Sequence, residues 1–249
     1  KKIIYLEYSN FPNNIICDPT GININSKYVN KYLRKKADLH IGKFTHWKKK
    51  YLKDKLHSHN IIQAYTFKYN SKYYLDFFYF FKFSKRGAFL LLLKKCIRLL
   101  FGKILQLFFK LFNFFNKPKL PKNFIFFPCQ VSNDSQILLN SKIDNHSALK
   151  YIHENFSEKL VIKFHPAENN FFSLVKIFFF CLKNKIFISN ENTFQLIKKS
   201  KGIVTINSNV GLEAKLMGKK VTYLENSIHD QIRNNETMFN YLFRYLLPI

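Results

Sequence analysis

Acidic residues are scarce in this chain: 15 Asp and Glu stand against 41 Lys and Arg in 249 residues, a formal charge of +26. So basic a surface attracts nucleic acid, anionic lipid or phosphorylated substrates. The abundance of Lys alongside Asn, Ile and Phe is equally what an A/T-rich coding sequence produces, so charge alone selects none of these partners. Cysteine is sparse and scattered. Cys17, Cys96, Cys129 and Cys181 form no C-x-x-C pair, which speaks against a disulfide framework or a zinc site and suits a reducing compartment. No uncharged apolar run approaches the ~18 residues of a spanning helix, which excludes an integral membrane protein of that kind. No secretory leader and no internal repeat are visible. The chain opens on Lys1-Lys2-Ile3-Ile4 without an initiator Met, so a missing N-terminal portion is expected. A chain of this length buries a proper core as one large domain or two small ones.

Residues 1 to about 30 read as a strand, a turn and a second strand-like segment. Ile3-Ile4-Tyr5-Leu6 ends at Glu7, and Pro12, Asp18-Pro19 and Gly21 punctuate the loop. Residues 27–60 are rich in Lys and His, carry Trp47, and are expected to be partly helical. From Tyr65 to Asn116 the chain is intensely aromatic. Within it, Lys95, Arg98, Gly102, Lys103, Gln106, Lys110, Asn113 and Lys117 recur at steps of three or four, one polar stripe on a long helix over 89–117. Such a helix either packs between domains or lies in the plane of a membrane surface with its lysines at the headgroups. Lys117-Pro118-Lys119-Leu120-Pro121 marks a boundary.

Beyond it the rhythm is regular. Strands are predicted at 124–129, 160–164, 186–189, 202–206 and 221–224. Helices are predicted at 147–156, 171–182, 193–200 and 211–217. Strands alternating with helices mean crossover connections and a parallel sheet. The expected class is α/β, with three parts: 1–60 as the end of an N-terminal Rossmann-like domain, 61–120 as an aromatic, basic, helical linker, and 121–249 as a Rossmann-like nucleotide-binding domain.

In such sheets ligands bind beyond the carboxyl ends of the strands, and three polar tips stand there. The first is Gln130 to Asp134, whose carboxylate suits a nucleophile or general base; its plain structural role is to cap the following helix. The second is His165-Pro166, with Lys163 on the same strand face; proline fixes the turn and holds the imidazole at the tip, suited to a phosphate oxygen. The third is Asn207-Ser208-Asn209-Val210-Gly211, where backbone N–H groups at a helix start form an anion cradle and Gly211 admits close backbone approach. Glu213, expected in the first turn of that helix, faces the dipole favourably or accepts a ribose hydroxyl. A simple N-cap at Asn207 or Ser208, with Glu213 as capping partner, reads as well there.

Taken together, Gln130-x-x-x-Asp134, Lys163-x-His165-Pro166 and Asn207-Ser-Asn-Val-Gly211-Leu-Glu213-Ala-Lys-Leu-Met-Gly218-Lys-Lys-Val221 resemble the capsule polysaccharide synthesis family, which contains bacterial β-Kdo transferases. The front of the chain is similar to the same family through Leu6-Glu7, Pro12 and Asp18-Pro-Thr-Gly21-Ile-Asn23. Departures are Tyr8-Ser9 after Glu7 in place of a glycine, Lys215 in place of an apolar residue and Lys220 in place of a proline. The resemblance implies a GT-B-like glycosyltransferase with two Rossmann-like domains, moving Kdo from CMP-Kdo to a lipid-linked glycan acceptor with retention of configuration. By position it makes Asp134 the nucleophile and places Glu7 at the acceptor or in proton transfer. His165 and Lys163 would balance the CMP phosphate, Ser208 and the Gly211 backbone would support the nucleotide, and Glu213 would reach the ribose. No metal and no cofactor beyond the sugar nucleotide are expected. The resemblance also implies a peripheral enzyme at the cytoplasmic face of the cell membrane, which the basic charge suits.

Other readings stay open. The same fold serves other donors, such as CMP-sialic acid or a UDP-sugar. A non-catalytic membrane or nucleic-acid binder is the other class, with aromatics and lysines interleaved around 68–85. No nucleic-acid module is recognisable, and none is expected to bind.

Overall fold

The computed structural model describes residues 3–36 except 10, 12 and 22, residues 41–57, 104 and 107, and residues 119–249 except 169. Pro12 and nearly all of the expected aromatic linker, including the helix over 89–117, lie outside the described residues. Ile104 and Leu107 within it are helical and exposed. Among the described residues no helix is long and apolar enough to cross a membrane.

Tyr5–Tyr8 (β1) and Asn14–Asp18 (β2) form an antiparallel pair, with Tyr5 opposite Asp18 and Tyr8 opposite Ile15. Asn13, just before β2, adopts a φ of 59°, a left-handed conformation that Asn tolerates better than most residues. Asp18 ends β2 fully buried. Its carboxylate accepts from the Thr20 N–H (2.7 Å), the Thr20 hydroxyl (2.6 Å), the Tyr245 hydroxyl (2.9 Å) and the Ser26 hydroxyl. Burial pushes its pKa up, but these bonds outweigh burial and leave it below the ordinary carboxylate value.

Tyr28–Leu33 (α1) and Ile41–His57 (α2) follow. Phe44 and Tyr51, one helical stripe of α2, are buried beside half-buried Trp47, and Lys43, Lys49, Lys50 and Lys53 face outward. Trp47 stacks on Tyr51 with ring centroids 5.1 Å apart, and Phe11 closes edge-on against Trp47 at 5.7 Å.

The second unit is a five-stranded parallel sheet. Its strands are Phe124–Pro128 (β3), Lys159–Lys163 (β4), Phe187–Ile188 (β5), Gly202–Thr205 (β6) and Lys220–Tyr223 (β7), in the order β5-β4-β3-β6-β7. The crossovers are Ser135–Asn140 (α3), Asn145–Asn155 (α4), Phe171–Lys183 (α5), Thr193–Lys199 (α6) and Asn209–Leu216 (α7). All five predicted strands are present, the third trimmed to two residues. Helix α3 is a difference, a short helix starting directly after Asp134 where a loop was expected.

Alternation along β3 and β4 sorts their side chains to two faces. Ile125, Phe127, Leu160 and Ile162 pack against Leu149 and Ile152 of α4 and Leu174 and Ile177 of α5. Phe124, Phe126 and Val161 pack on the other face with Leu196, Ile197 and Ala214 of α6 and α7. Each buried Phe contributes about 1.5–3 kcal/mol of transfer free energy. Helix starts are set by short polar side chains: Asp144 accepts from the Ser147 N–H at 2.7 Å and Asn192 from the Phe194 N–H at 2.8 Å.

After β7 comes a 3₁₀ turn over Ile228–Gln231. Asn235–Asn240 (α8), opened by an Asn234–Thr237 capping box, runs into a π-helical turn over Tyr241–Tyr245. Leu247–Pro248 (β8) then pairs with β2. The C-terminal end thus returns to the N-terminal layer, where Met238, Phe239 and Leu242 share a core with Phe11, Val29 and Phe44.

Candidate active site

Strand order reverses at β3, whose neighbours are β4 on one side and β6 on the other. The tips of these three adjacent strands carry the three polar segments singled out from sequence, at the switch point where open α/β sheets take ligands.

On the β4 side, His165 stands two residues past the strand. Its Nδ1 accepts the Ala167 N–H at 3.1 Å, and its backbone carbonyl accepts from the Glu168 N–H at 3.0 Å. With Nδ1 occupied as an acceptor, the neutral ring carries its proton on Nε2, the donor an anion needs. Burial lowers its pKa; Asp134 and Glu168 pull it up and Lys163 pushes it down. Lys163 ends β4 and donates from Nζ to the Glu191 carbonyl at 2.7 Å, with its pKa lowered by burial.

Asp134 sits at the start of α3. Its backbone carbonyl accepts from the N–H groups of Ile137 (3.0 Å) and Leu138 (2.9 Å), as the residue before a helix does. Its charge acts on two groups from different layers, His165 and Glu7. Glu7 lies on β1, where Asn23 Nδ2 donates to its Oε2 at 3.2 Å. Burial raises the Glu7 pKa, Asn23 lowers it and Asp134 raises it. Glu7, Asp134, Lys163 and His165 therefore form one electrostatic group across the two layers.

The β6 side is different. Gln130, 8% exposed, donates from Nε2 to Asn207 Oδ1 at 2.9 Å and accepts the Asn207 N–H at 3.2 Å. Its main chain exchanges two bonds with the Asn145 side chain, at 2.9 and 2.7 Å. Ser208 caps α7, its hydroxyl accepting from the Val210 N–H at 3.2 Å, and its own N–H reaches Thr205 Oγ1 at 3.3 Å. The Gly211 N–H goes to the Ser208 carbonyl at 3.0 Å. At the expected anion cradle, the amides of Asn207, Ser208, Val210 and Gly211 have internal acceptors. A Cβ on Gly211 would fall 2.6 Å from Tyr223 Cζ and 2.8 Å from its Cε1, so the approach that glycine permits here is that of the Tyr223 ring.

For Glu213, the expected place in the first turn is corrected. Helix α7 begins at Asn209, with no acidic residue in its first turn. One turn further on, Glu213 Oε1 accepts from the Tyr51 hydroxyl at 2.9 Å, and burial raises its pKa. Lys215 bonds the carbonyls of His229 (2.6 Å) and Asp230 (3.2 Å). Pro166 is exposed at the turn after His165.

Glu168 was not legible from the sequence, and Ser132 stood only as part of the polar loop that carries Asp134. Glu168 is 3% exposed; its Oε2 accepts from both the Ser132 N–H (2.7 Å) and the Ser132 hydroxyl (2.6 Å). The only signal was a carboxylate three residues beyond His165, which a surface loop carries as readily. Asn23 stood in the quoted N-terminal segment, but its bond to Glu7 was not legible. Among the described residues no cluster of three or more His, Cys, Asp or Glu side chains could hold a metal ion.

The profile of the family described as "Capsule polysaccharide biosynthesis protein" matches residues 5–231. Protein FixF of Sinorhizobium fredii is 33% identical over 123 residues, 47% of this chain and 30% of that protein's length. Two solved structures of KpsC from Thermosulfurimonas dismutans share the fold. The one described as a β-Kdo 2,7 transferase has a TM-score of 0.58 and 17% identity, covering 100% of this chain and 71% of that one. The other, a β-Kdo 2,4 transferase, has a TM-score of 0.59 and 13% identity, covering 99% and 73%. The architecture is GT-B-like.

Proposed function

Because this chain belongs to the capsule polysaccharide biosynthesis protein family, we propose that it is a glycosyltransferase that moves Kdo from CMP-Kdo to a lipid-linked glycan with retention. The observation that carries this reading is Asp134 at the β3 tip, acting electrostatically on His165 of one layer and Glu7 of the other. That arrangement supplies a nucleophile, a phosphate ligand and a proton acceptor around one point.

Retention takes two displacements. The Asp134 carboxylate attacks the anomeric carbon of Kdo, and the bond from that carbon to the CMP phosphate oxygen breaks, its electron pair leaving with CMP. His165 Nε2–H and the Lys163 ammonium stabilise the departing phosphate. The acceptor hydroxyl then attacks the same carbon and expels Asp134, while its proton passes to Glu7. Burial and the neighbouring Asp134 charge raise the Glu7 pKa, the direction that helps a carboxylate receive a proton. Gln130 and Asn207 bond to each other and Ser208 caps α7, which holds the tips of β3 and β6 in place beside that point. The excess of positive charge suits an acceptor held at the anionic cytoplasmic face of the membrane.

Titration calorimetry with CMP and UMP, with His165→Ala alongside, tests the reading. CMP-selective heat that weakens by roughly 10²-fold or more in the variant supports it, and a sugar adduct on Asp134 in intact-mass spectra completes it. UMP selectivity shifts the donor to a UDP-sugar. Failure of both nucleotides to bind removes the transferase reading.

A further inference from the structure

We infer that Glu168 is a positioning residue that clamps the loop carrying Asp134 onto the loop carrying His165. The inference rests on the roles proposed for those two residues and adds a device that holds them in register.

The clamp is built from one carboxylate and two strand-tip loops. Glu168 lies in the turn between β4 and α5 and is 3% exposed. Its Oε2 accepts the Ser132 N–H (2.7 Å) and the Ser132 hydroxyl (2.6 Å), both from the loop after β3. Its Oε1 accepts the Asn170 N–H at 2.8 Å within its own loop. Its main-chain N–H donates to the His165 carbonyl at 3.0 Å. Ser132 Oγ also lies 2.9 Å from Ser173 Oγ on α5. Asp134 is two residues beyond Ser132, and His165 three before Glu168, so the spacing of the proposed nucleophile and phosphate ligand is set through this carboxylate. Bonds from N–H and O–H groups to a carboxylate are charge-assisted and among the stronger ones in proteins. Asn170 caps α5 through its side chain, while the Glu168 carboxylate reaches across to the loop after β3.

Glu168 also acts on His165 through its charge. Among the described residues, the ionisable groups that act on His165 are Asp134, Glu168 and Lys163; burial and Lys163 lower its pKa, and the two carboxylates raise it. Removing the Glu168 charge while keeping its shape, as in Glu168→Gln, moves the His165 midpoint further down.

The test uses Glu168→Gln and Ser132→Ala in the full chain. Proton–carbon NMR of the imidazoles, with His165 assigned from its loss in His165→Gln, reads the midpoint without any substrate. It is expected to fall in Glu168→Gln and to stay in place in Ser132→Ala, which keeps the charge. Hydrogen exchange of the 131–135 amides is expected to speed up by roughly tenfold in both variants. With CMP-Kdo as donor, kcat is expected to fall by roughly 10²-fold in Glu168→Gln, with KM changed less than about threefold. A folded Glu168→Gln protein with an unmoved His165 midpoint overturns the inference, as does a rise in KM at constant kcat. Should Glu168→Gln fail to fold, Ser132→Ala decides: unchanged exchange across 131–135 overturns the clamp, and faster exchange with reduced kcat sustains it. A wild-type chain inert toward CMP-Kdo counts against the transferase reading, and the midpoint and exchange measurements then decide on Glu168.

Discussion

On the β4 side of β3, charged groups from separate segments face one another across the strand tips; on the β6 side, neutral amides bond to each other and close the gap. Asp134, His165, Lys163 and Glu7 share an electrostatic neighbourhood in which burial lowers the pKa of His165 and Lys163 and raises that of Glu7. Gln130 and Asn207 satisfy each other through two bonds, and Ser208 is spent on capping α7. Both sides are polar loops after buried strands, and their composition is similar. What separates them is charge: the β6-side groups are neutral and bond to one another, whereas the β4-side groups are ionisable and act on one another. Satisfied groups hold the tips in place. Ionisable groups with shifted titration clustered at strand tips mark a candidate site.

The comparison breaks most directly at Asp134. Asp134→Asn is expected to reduce transfer from CMP-Kdo by roughly 10³-fold or more. Its thermal midpoint is expected to stay near wild type, because Asn serves at the start of a helix as well as Asp does. Steady-state rates and a melting curve on the same preparation check both halves, and a variant keeping a tenth of the activity would end the nucleophile assignment.

Gln130→Leu probes the other side. It removes the Gln130 side chain that bonds the Asn207 N–H and Oδ1 in the buried β3–β6 gap, a loss of about 1–3 kcal/mol by the usual cost of breaking buried hydrogen bonds. Denaturant unfolding reads that loss, while CMP affinity of the folded protein is expected to change less than about threefold. Collapse of CMP binding without loss of stability would show that the β6 side is itself a ligand surface.

Gly211→Ala has the smallest expected effect. The added methyl meets the Tyr223 ring, and overpacking of this kind costs about 1–3 kcal/mol. Pairing it with Tyr223→Ala is expected to recover part of that cost, a coupling that a double-mutant cycle measures. Absence of coupling would locate the strain elsewhere.

Much of the sheet was legible because burial on both faces demands continuous apolar runs such as Phe124-Ile-Phe-Phe127, and crossover helices demand the longer pattern between them. Asp134 and His165 were legible because polar residues directly after such runs fall at the carboxyl edge. Helix α3 escaped because six residues, Ser135–Asn140, are too short to establish a period. Glu213 was misplaced because the start of α7 was read two residues late, and nothing near it in the chain announces Tyr51.

From sequence alone, then, came the family resemblance, the alternating α/β order, and the polar tips of β3, β4 and β6, since each rests on neighbours a few residues apart. Only tertiary structure decided which distant groups meet at those tips. Gln130 and Asn207 are 77 residues apart, Tyr51 and Glu213 162, and Asp18 and Tyr245 227. Pairings at such separations follow from strand order and from the return of the C-terminal end onto β2. Local periodicity reports which face of a segment is buried; it carries no information about which distant group shares that burial.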